Sequence, residues 1–203
     1  MGAFVFDVGS DPGVLWPLRQ VSDPGQLFAL LERAQAGDVR ARDAFLSAIY
    51  PIVAKHLTFV LKDHYLREEA AQESMIQILR AIPSFRLRVS ARAWVLKIAT
   101  RTAQHYRRRD RVHSSALTHD GTLPEAESPD VAEARVALGR LSALLETLPE
   151  EQREAFVLVK ILQLTGEEAA EALSTPQNTV FSRVRLARQK LETAMSDRAE
   201  VRP

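Results

Sequence analysis

Apolar positions recur with helical period through most of this chain. In the stretch from Ala169 to Leu191, Ala169, Ala170 and Leu173 sit at helical spacing before a break at Ser174-Thr175-Pro176. Val180, Val184, Ala187 and Leu191 then recur at i, i+4, i+7 and i+11, so two short helices flank a tight turn. Upstream, Leu27 to Ala36 reads as a helix stopped by Gly37-Asp38. A second helix carries Ala44, Phe45, Ala48 and Ile49 on its apolar face. Pro51 marks a boundary or kink there, and Ile52 to Leu61 continues in register. Arg67 to Ile82 is a third helix, with Ala70, Ala71, Ile78 and Leu79 apolar and Pro83 at its end. A short basic loop, Ser84 to Ser90, leads into the helix Ala91 to Arg108, with Trp94, Val95, Ile98 and Ala99 inward. The pattern resumes from Val131 to Thr147. Pro149-Glu150-Glu151 then starts a helix with an early proline, first-turn acids, and Ala155, Phe156, Leu158 and Val159 on it. No strand-like alternation is convincing. The fold class is all-α.

Stretches without periodicity set the expected boundaries: a Gly/Pro-rich leader over 1–25, a helical domain over 26–109, a linker over 110–130, a helix-turn-helix domain over 131–195 and a tail over 196–203. Charge sharpens this division. The net charge of +1 hides a strong asymmetry. Arg80 to Arg111 is basic throughout except for Asp110, whereas Ser114 to Ala134 holds Asp120, Glu125, Glu127, Asp130 and Glu133 with no Lys or Arg. A basic face aimed at a polyanion and an acidic tether follow.

The helix-turn-helix segment carries specific chemistry. Its second helix opens with polar Gln177, Asn178 and Thr179, and Arg183, Arg185, Arg188 and Lys190 lie off the apolar stripe. Such a helix fits a major groove, its polar start on base edges and its arginines on phosphate. Other classes lose support. The chain has no cysteine, so a disulfide scaffold, a cysteine zinc finger and a thiol nucleophile are excluded. It has no run of eighteen apolar residues and no signal-peptide pattern, so a cytoplasmic protein without a membrane span is expected. His56, His64, His105, His113 and His119 show no metal-ligand spacing, and no Gly-rich phosphate loop is present. No catalytic residue, metal or cofactor is expected, and no enzymatic activity.

The order and spacing of several motifs resemble the extracytoplasmic-function (ECF) sigma factors of bacterial RNA polymerase, from about Leu27 to Leu191. The first domain contributes Gly37-Asp38, Ala44-Phe45, Ile49-Tyr50-Pro51, Gln72-Glu73, Phe85, Ala93-Trp94, Ile98-Ala99 and Arg107-Arg108-Arg109. The second contributes Leu148 to Arg153, Phe156, Leu158, Glu168-Ala169-Ala170, Leu173, Thr179-Val180, Ser182-Arg183, Ala187-Arg188 and Leu191. The resemblance implies roles. Core polymerase would be bound through Glu69, Gln72, Glu73 and Arg80. The −10 element would be read and melted by Arg86, Arg88, Ser90, Arg92, Trp94, Lys97 and Arg101. The −35 element would be read by Gln177, Asn178, Thr179, Phe181, Ser182, Arg183, Arg185 and Arg188. Partners would be core RNA polymerase, promoter DNA and an anti-sigma factor. The chain departs from the family pattern at Glu69-Ala-Ala-Gln-Glu-Ser-Met75, at Ala91, at Thr100-Arg101, at Ser174 in place of the turn glycine, and at Phe181. Promoter sequence therefore does not carry over.

Blander readings bear on single residues. Trp94, spaced with Ile98, fits the core better than base stacking. His105 and Tyr106 read as surface residues of a helix end. Arg107-Arg108-Arg109 fits DNA backbone contact better than a solvated last turn. Phe181 fits a thymine methyl or the core equally. As a whole, a stand-alone helix-turn-helix repressor is the alternative, but it explains neither the first domain nor the acidic linker. A metal-dependent enzyme built on Glu150 and Glu151 is weaker still, since those acids read as partners of the helix dipole.

Overall fold

The computed structural model describes residues 24–86, 90–113 and 129–200. Most of the expected leader, Arg88 and most of the expected linker lie outside them. Eight α-helices are described: α1 (Pro24–Gln35), α2 (Val39–Val60), α3 (His64–Ala81), α4 (Ala91–His113), α5 (Pro129–Glu146), α6 (Glu150–Phe156), α7 (Gly166–Leu173) and α8 (Gln177–Glu200). A 3-10 turn, Ile82–Ser84, closes α3, and a π-helical turn, Val157–Ile161, extends α6. No strand occurs among the described residues.

Local chemistry sets the helix limits. Gly37 ends α1 with φ +92°, a conformation that disfavours a side chain. The Asp38 carboxylate then caps α2 by accepting from the Ala41 amide at 3.0 Å, and Arg33 pairs with it at 2.6 Å. Those donors hold the Asp38 carboxyl below its ordinary range. Asp63 caps α3 in the same way, through the Leu66 amide. Thr165 and Glu168 form a reciprocal capping box at the start of α7. Ser174 ends α7 in the left-handed region, φ 51° and ψ 44°. It stands where the family's turn has glycine, at a conformational cost of about 1 kcal/mol.

Pro51 is not a boundary between two helices: α2 runs unbroken through it. The proline is solvent-exposed, and buried Ile49, Ile52 and Val53 hold both flanks against the core. The missing amide bond thus falls on the wet side of the helix. Two apolar expectations also move. Ala44 and Leu79 face outward, because Phe45 and Ile78 beside them take the inward direction.

The α1–α4 core is built from Leu27, Leu31, Phe45, Ile49, Val53, Leu57, Ile78, Val95, Leu96 and Ala99. The α5–α8 core is built from Leu145, Leu148, Ala155, Leu158, Ala169, Val180, Val184 and Ala187. The two are contiguous, since α4 packs along α7. Tyr106 belongs to this interior, contrary to the surface expectation, because it continues the Ala99–Ala103 stripe of α4. His105 is exposed as expected.

His56 is fully buried on α2, with its Nε2 3.0 Å from the Thr100 hydroxyl. Burial, reinforced by the nearby Arg107 charge, pushes its pKa down to about 3. The unfolded chain therefore binds a proton that the folded chain excludes. The stability is fully present above about pH 6.5 and is lost as pH falls toward the folded value. Between pH 7 and pH 5 this one group should cost about 2 kcal/mol. In urea titrations at both pH values, His56→Asn should show a smaller pH dependence, whatever its absolute stability.

Candidate nucleic-acid and polymerase interfaces

On α8 the stripe of Val180, Val184 and Ala187 is buried. That anchoring fixes which side chains point outward. Gln177, Asn178, Ser182, Arg185 and Arg188 are exposed, and Thr179 is half-buried. Arg183 is partly sheltered and bonds the Glu151 carboxylate at 2.5 Å. Arg188 pairs with Glu192 at 2.8 Å, one turn on and in full solvent, so that pair contributes little to stability. Phe181 is 48 % exposed, yet its ring lies across the start of α7. A Cβ on Gly166 would meet the Phe181 ring at 2.4 Å and the Gln177 amide at 2.6 Å. Gly166 went unnoticed in the sequence, because only the folded corner shows why a side chain is excluded there.

The residues expected at the −10 element separate into two groups. Ser90, Arg92 and Lys97 face the second domain. The Ser90 hydroxyl donates to Glu168 at 2.7 Å and accepts from the Ala93 amide at 3.0 Å. The Arg92 guanidinium donates to the Leu162 carbonyl. Lys97 pairs with Glu171 at 2.7 Å, with both side chains about four-fifths buried (21 % and 22 % exposed). Burial alone would raise the Glu168 carboxyl, but the Ser90 and Thr165 donors and the Arg92 charge hold it below its ordinary range.

Trp94, Arg86 and Arg101 lie outside this contact. Trp94 is half-buried and meets Phe85 edge-to-face, with ring centres 4.9 Å apart. Arg86 is exposed and bonds the carbonyl of Phe85. Arg101 lines a groove between α3 and α4 with Glu73, Gln77, His105, Tyr106 and Arg109. The basic triplet also divides. Arg108 and Arg109 are exposed, with Arg109 over the Tyr106 ring at 5.5 Å. Arg107 is only 11 % exposed and pairs with the buried Glu154.

The residues expected to meet polymerase lie on α3. Gln72 and Arg80 are exposed, whereas Glu69 and Glu73 are half-buried. Glu73 accepts from Gln77 at 2.8 Å. Tyr65, Ile76 and Leu79 share the outward stripe with Gln72 and are 65 %, 42 % and 40 % exposed. Apolar side chains grouped on one helix face mark a contact surface. Sequence reading assigned Leu79 inward and so missed this stripe.

Comparison with known proteins converges on one family. The description "Sigma-70 region 2" matches residues 45–112, and "Sigma-70, region 4" matches 138–191. The chain is 34 % identical over 173 residues to the probable RNA polymerase sigma-C factor of Mycobacterium bovis, covering 84 % of this chain and 91 % of that protein. It is 32 % identical over 175 residues to the ECF RNA polymerase sigma-E factor of Haemophilus influenzae, covering 81 % and 92 % respectively.

The chain belongs to the ECF sigma factor family.

Two solved structures agree in fold. CnrH, in complex with the cytosolic domain of CnrY, superposes with a TM-score of 0.67 at 21 % identity, over 86 % of this chain and 99 % of that one. The sigma factor RpoE of Bartonella quintana, in complex with the anti-sigma factor NepR, gives 0.63 at 20 % identity, over 78 % and 98 %. In this sigma factor α1–α4 correspond to the first helical domain and α5–α8 to the helix-turn-helix domain. No described helix is long and apolar enough to cross a membrane.

The Arg107–Glu154 pair joins the two domains, and Gln104 adds a bond to Glu154 at 3.1 Å. Removing only the acid leaves a sheltered guanidinium with its longer contacts alone, to Glu150 at 3.7 Å and to the Val60 carbonyl at 3.4 Å. Glu154→Ala should therefore destabilise the sigma factor by about 3 kcal/mol, and adding Arg107→Met should recover most of that loss. Thermal unfolding of the single and double variants measures both effects.

Proposed function

We propose that this sigma factor binds core RNA polymerase and directs initiation by reading two promoter elements, residues 26–109 serving polymerase and the −10 element and residues 131–195 serving the −35 element. The observation that carries the reading is the construction of α8. Its apolar stripe is buried, and Gln177, Asn178, Ser182 and Arg185 project from its N-terminal half, the end a groove-inserted helix presents to base edges. On α4 and the loop before it, Arg86, Ser90, Arg92, Trp94, Lys97 and Arg101, with Arg88, supply the cations and the ring that a melted single strand uses. On α3, Glu69, Gln72, Glu73 and Arg80 meet polymerase together with Tyr65, Ile76 and Leu79. An anti-sigma factor completes the reading, by analogy with the RpoE–NepR complex. The described helices also fit a polymerase subunit better than the repressor alternative, which leaves the α3 stripe without a purpose.

The direct test adds the protein to core polymerase and measures transcription from the promoters of its own genome. Promoter-specific transcripts are expected; DNA binding with no effect on polymerase would favour the repressor. Ile76→Asp should weaken polymerase binding by about tenfold, as for a residue central to an interface, with no change in melting temperature.

Base reading and backbone anchoring can be separated on α8. An arginine paired with guanine gives roughly 1–3 kcal/mol of discrimination. Arg185→Ala should relax preference at one −35 position. Arg188→Ala should weaken all −35 sequences alike and lower the salt slope by about one unit. Binding to single-base −35 variants at several salt concentrations reads both effects, and the reverse pattern would mean that the helix is rotated in the groove.

A further inference from the structure

We infer that Gly166 is a positioning residue for −35 reading: its missing side chain seats the Phe181 ring and the Gln177 amide side by side as one reader of A·T pairs. This inference rests on the proposed role of α8 and names what that helix reads at its N-terminal end.

The backbone gives no reason for a glycine at this corner. Gly166 opens α7 inside the capping box of Thr165 and Glu168, and its φ is not positive, unlike that of Gly37. Alanine is the better helix former. Space is the reason instead, and α8 has taken it. A Cβ at position 166 would lie 2.4 Å and 2.9 Å from the Phe181 Cζ and Cε1, and 2.6 Å from the Gln177 Nε2. Carbon atoms in contact rest at about 3.5–4.0 Å. All three nearest atoms are tips of side chains, so an added methyl would displace them and leave the backbone in place. Ring and amide stand four residues apart on one face of α8 and converge on one bare spot. Buried Val180 and Val184 fix the rotation of the helix, which leaves Gln177 exposed and the Phe181 ring half-exposed.

The chemistry of the pair suits one kind of base pair. Phe181 has no donor to offer a phosphate, and its ring matches the 5-methyl group of thymine. The Gln177 amide matches the N6 and N7 edge of adenine. Both groups lie in the major groove of an A·T pair, so a ring and an amide held together read the same pair or neighbouring ones. A side chain at position 166 would turn them away from that arrangement.

The full-length protein assembled with core polymerase tests this. The probe is promoter DNA from its own genome with about ten base pairs of the −35 region randomised, one helical turn of groove. Sequencing before and after capture gives the preference at each position. Gln177→Ala and Phe181→Ala should each flatten an A·T preference by about fivefold. Gly166→Ala should change preference at those same positions by a similar factor, with the parent's fold by circular dichroism. Gly139→Ala is the control, because its methyl meets open space on α5. Adding Gly166→Ala to the Gln177→Ala, Phe181→Ala double variant should change nothing further, since the displaced tips are gone. Deoxyuridine in place of the thymine that Phe181 reads deletes only the methyl group. It should weaken the parent about threefold and leave Phe181→Ala unaffected. That arm uses the parent chain, so it holds whatever Gly166→Ala does to stability.

A parental profile for Gly166→Ala overturns the positioning role. So does a change that persists in the double variant, which would come from the backbone. Equal affinity of the parent for thymine and deoxyuridine sites overturns the A·T reader. A parent chain that enriches no −35 sequence overturns the reading of α8 itself, and the inference falls with it.

Discussion

Much of this molecule depends on the carboxylate of Glu168. One of its oxygens closes the capping box at the start of α7, and the other receives the Ser90 hydroxyl. Ser90 in turn accepts the Ala93 amide, so it caps α4. One side chain thus satisfies donors at the beginnings of two helices from different domains, both of which point their positive dipole ends toward it. Arg92 adds a full charge nearby. A carboxylate in this position satisfies several donors at once and offsets its own loss of water. The relative placement of α4 and α7 follows from that requirement, and the ionic contacts of Lys97 and Arg107 extend it along α4.

The helical order was legible in the sequence because burial here is periodic. The stripe of Val180, Val184 and Ala187 placed α8 and decided which of its side chains face outward. Gly37-Asp38 is a stop whose logic is local, and the structure uses it as such; the capping box of Thr165 and Glu168 is equally local, yet sequence reading passed over it. Where neighbouring apolar residues competed, periodicity was less decisive. Only one of Ile78 and Leu79 could face inward, and the outward one helped to form the exposed stripe of α3. Pro51 misled for a related reason: a helix break is a statement about backbone hydrogen bonds, but packing on either side of it decided the outcome.

The rest was not legible, because it depends on residues far apart in the chain. Ser90 meets Glu168 across 78 positions, Lys97 meets Glu171 across 74, and Arg107 meets Glu154 across 47. No local pattern distinguishes Glu171 from any other helix-surface acid. The basic run on α4 suggested a partner of opposite charge, and a nucleic acid was the natural choice. The folded chain shows that its own second domain also meets that description.

The ring of Phe181 resting on Gly166 carries a consequence for how this protein can evolve. The ring sits where any side chain at position 166 would begin. Its direction, and that of Gln177 beside it, is therefore governed by the bareness of a residue on another helix. On the proposed reading of α8, a mutation at position 166 would turn both toward a new part of the groove while leaving the sequence of α8 unchanged. If α8 reads the promoter as proposed, promoter preference can drift through a glycine outside the recognition helix. A catalogue of recognition-helix residues alone would not reveal why two such chains read different genes.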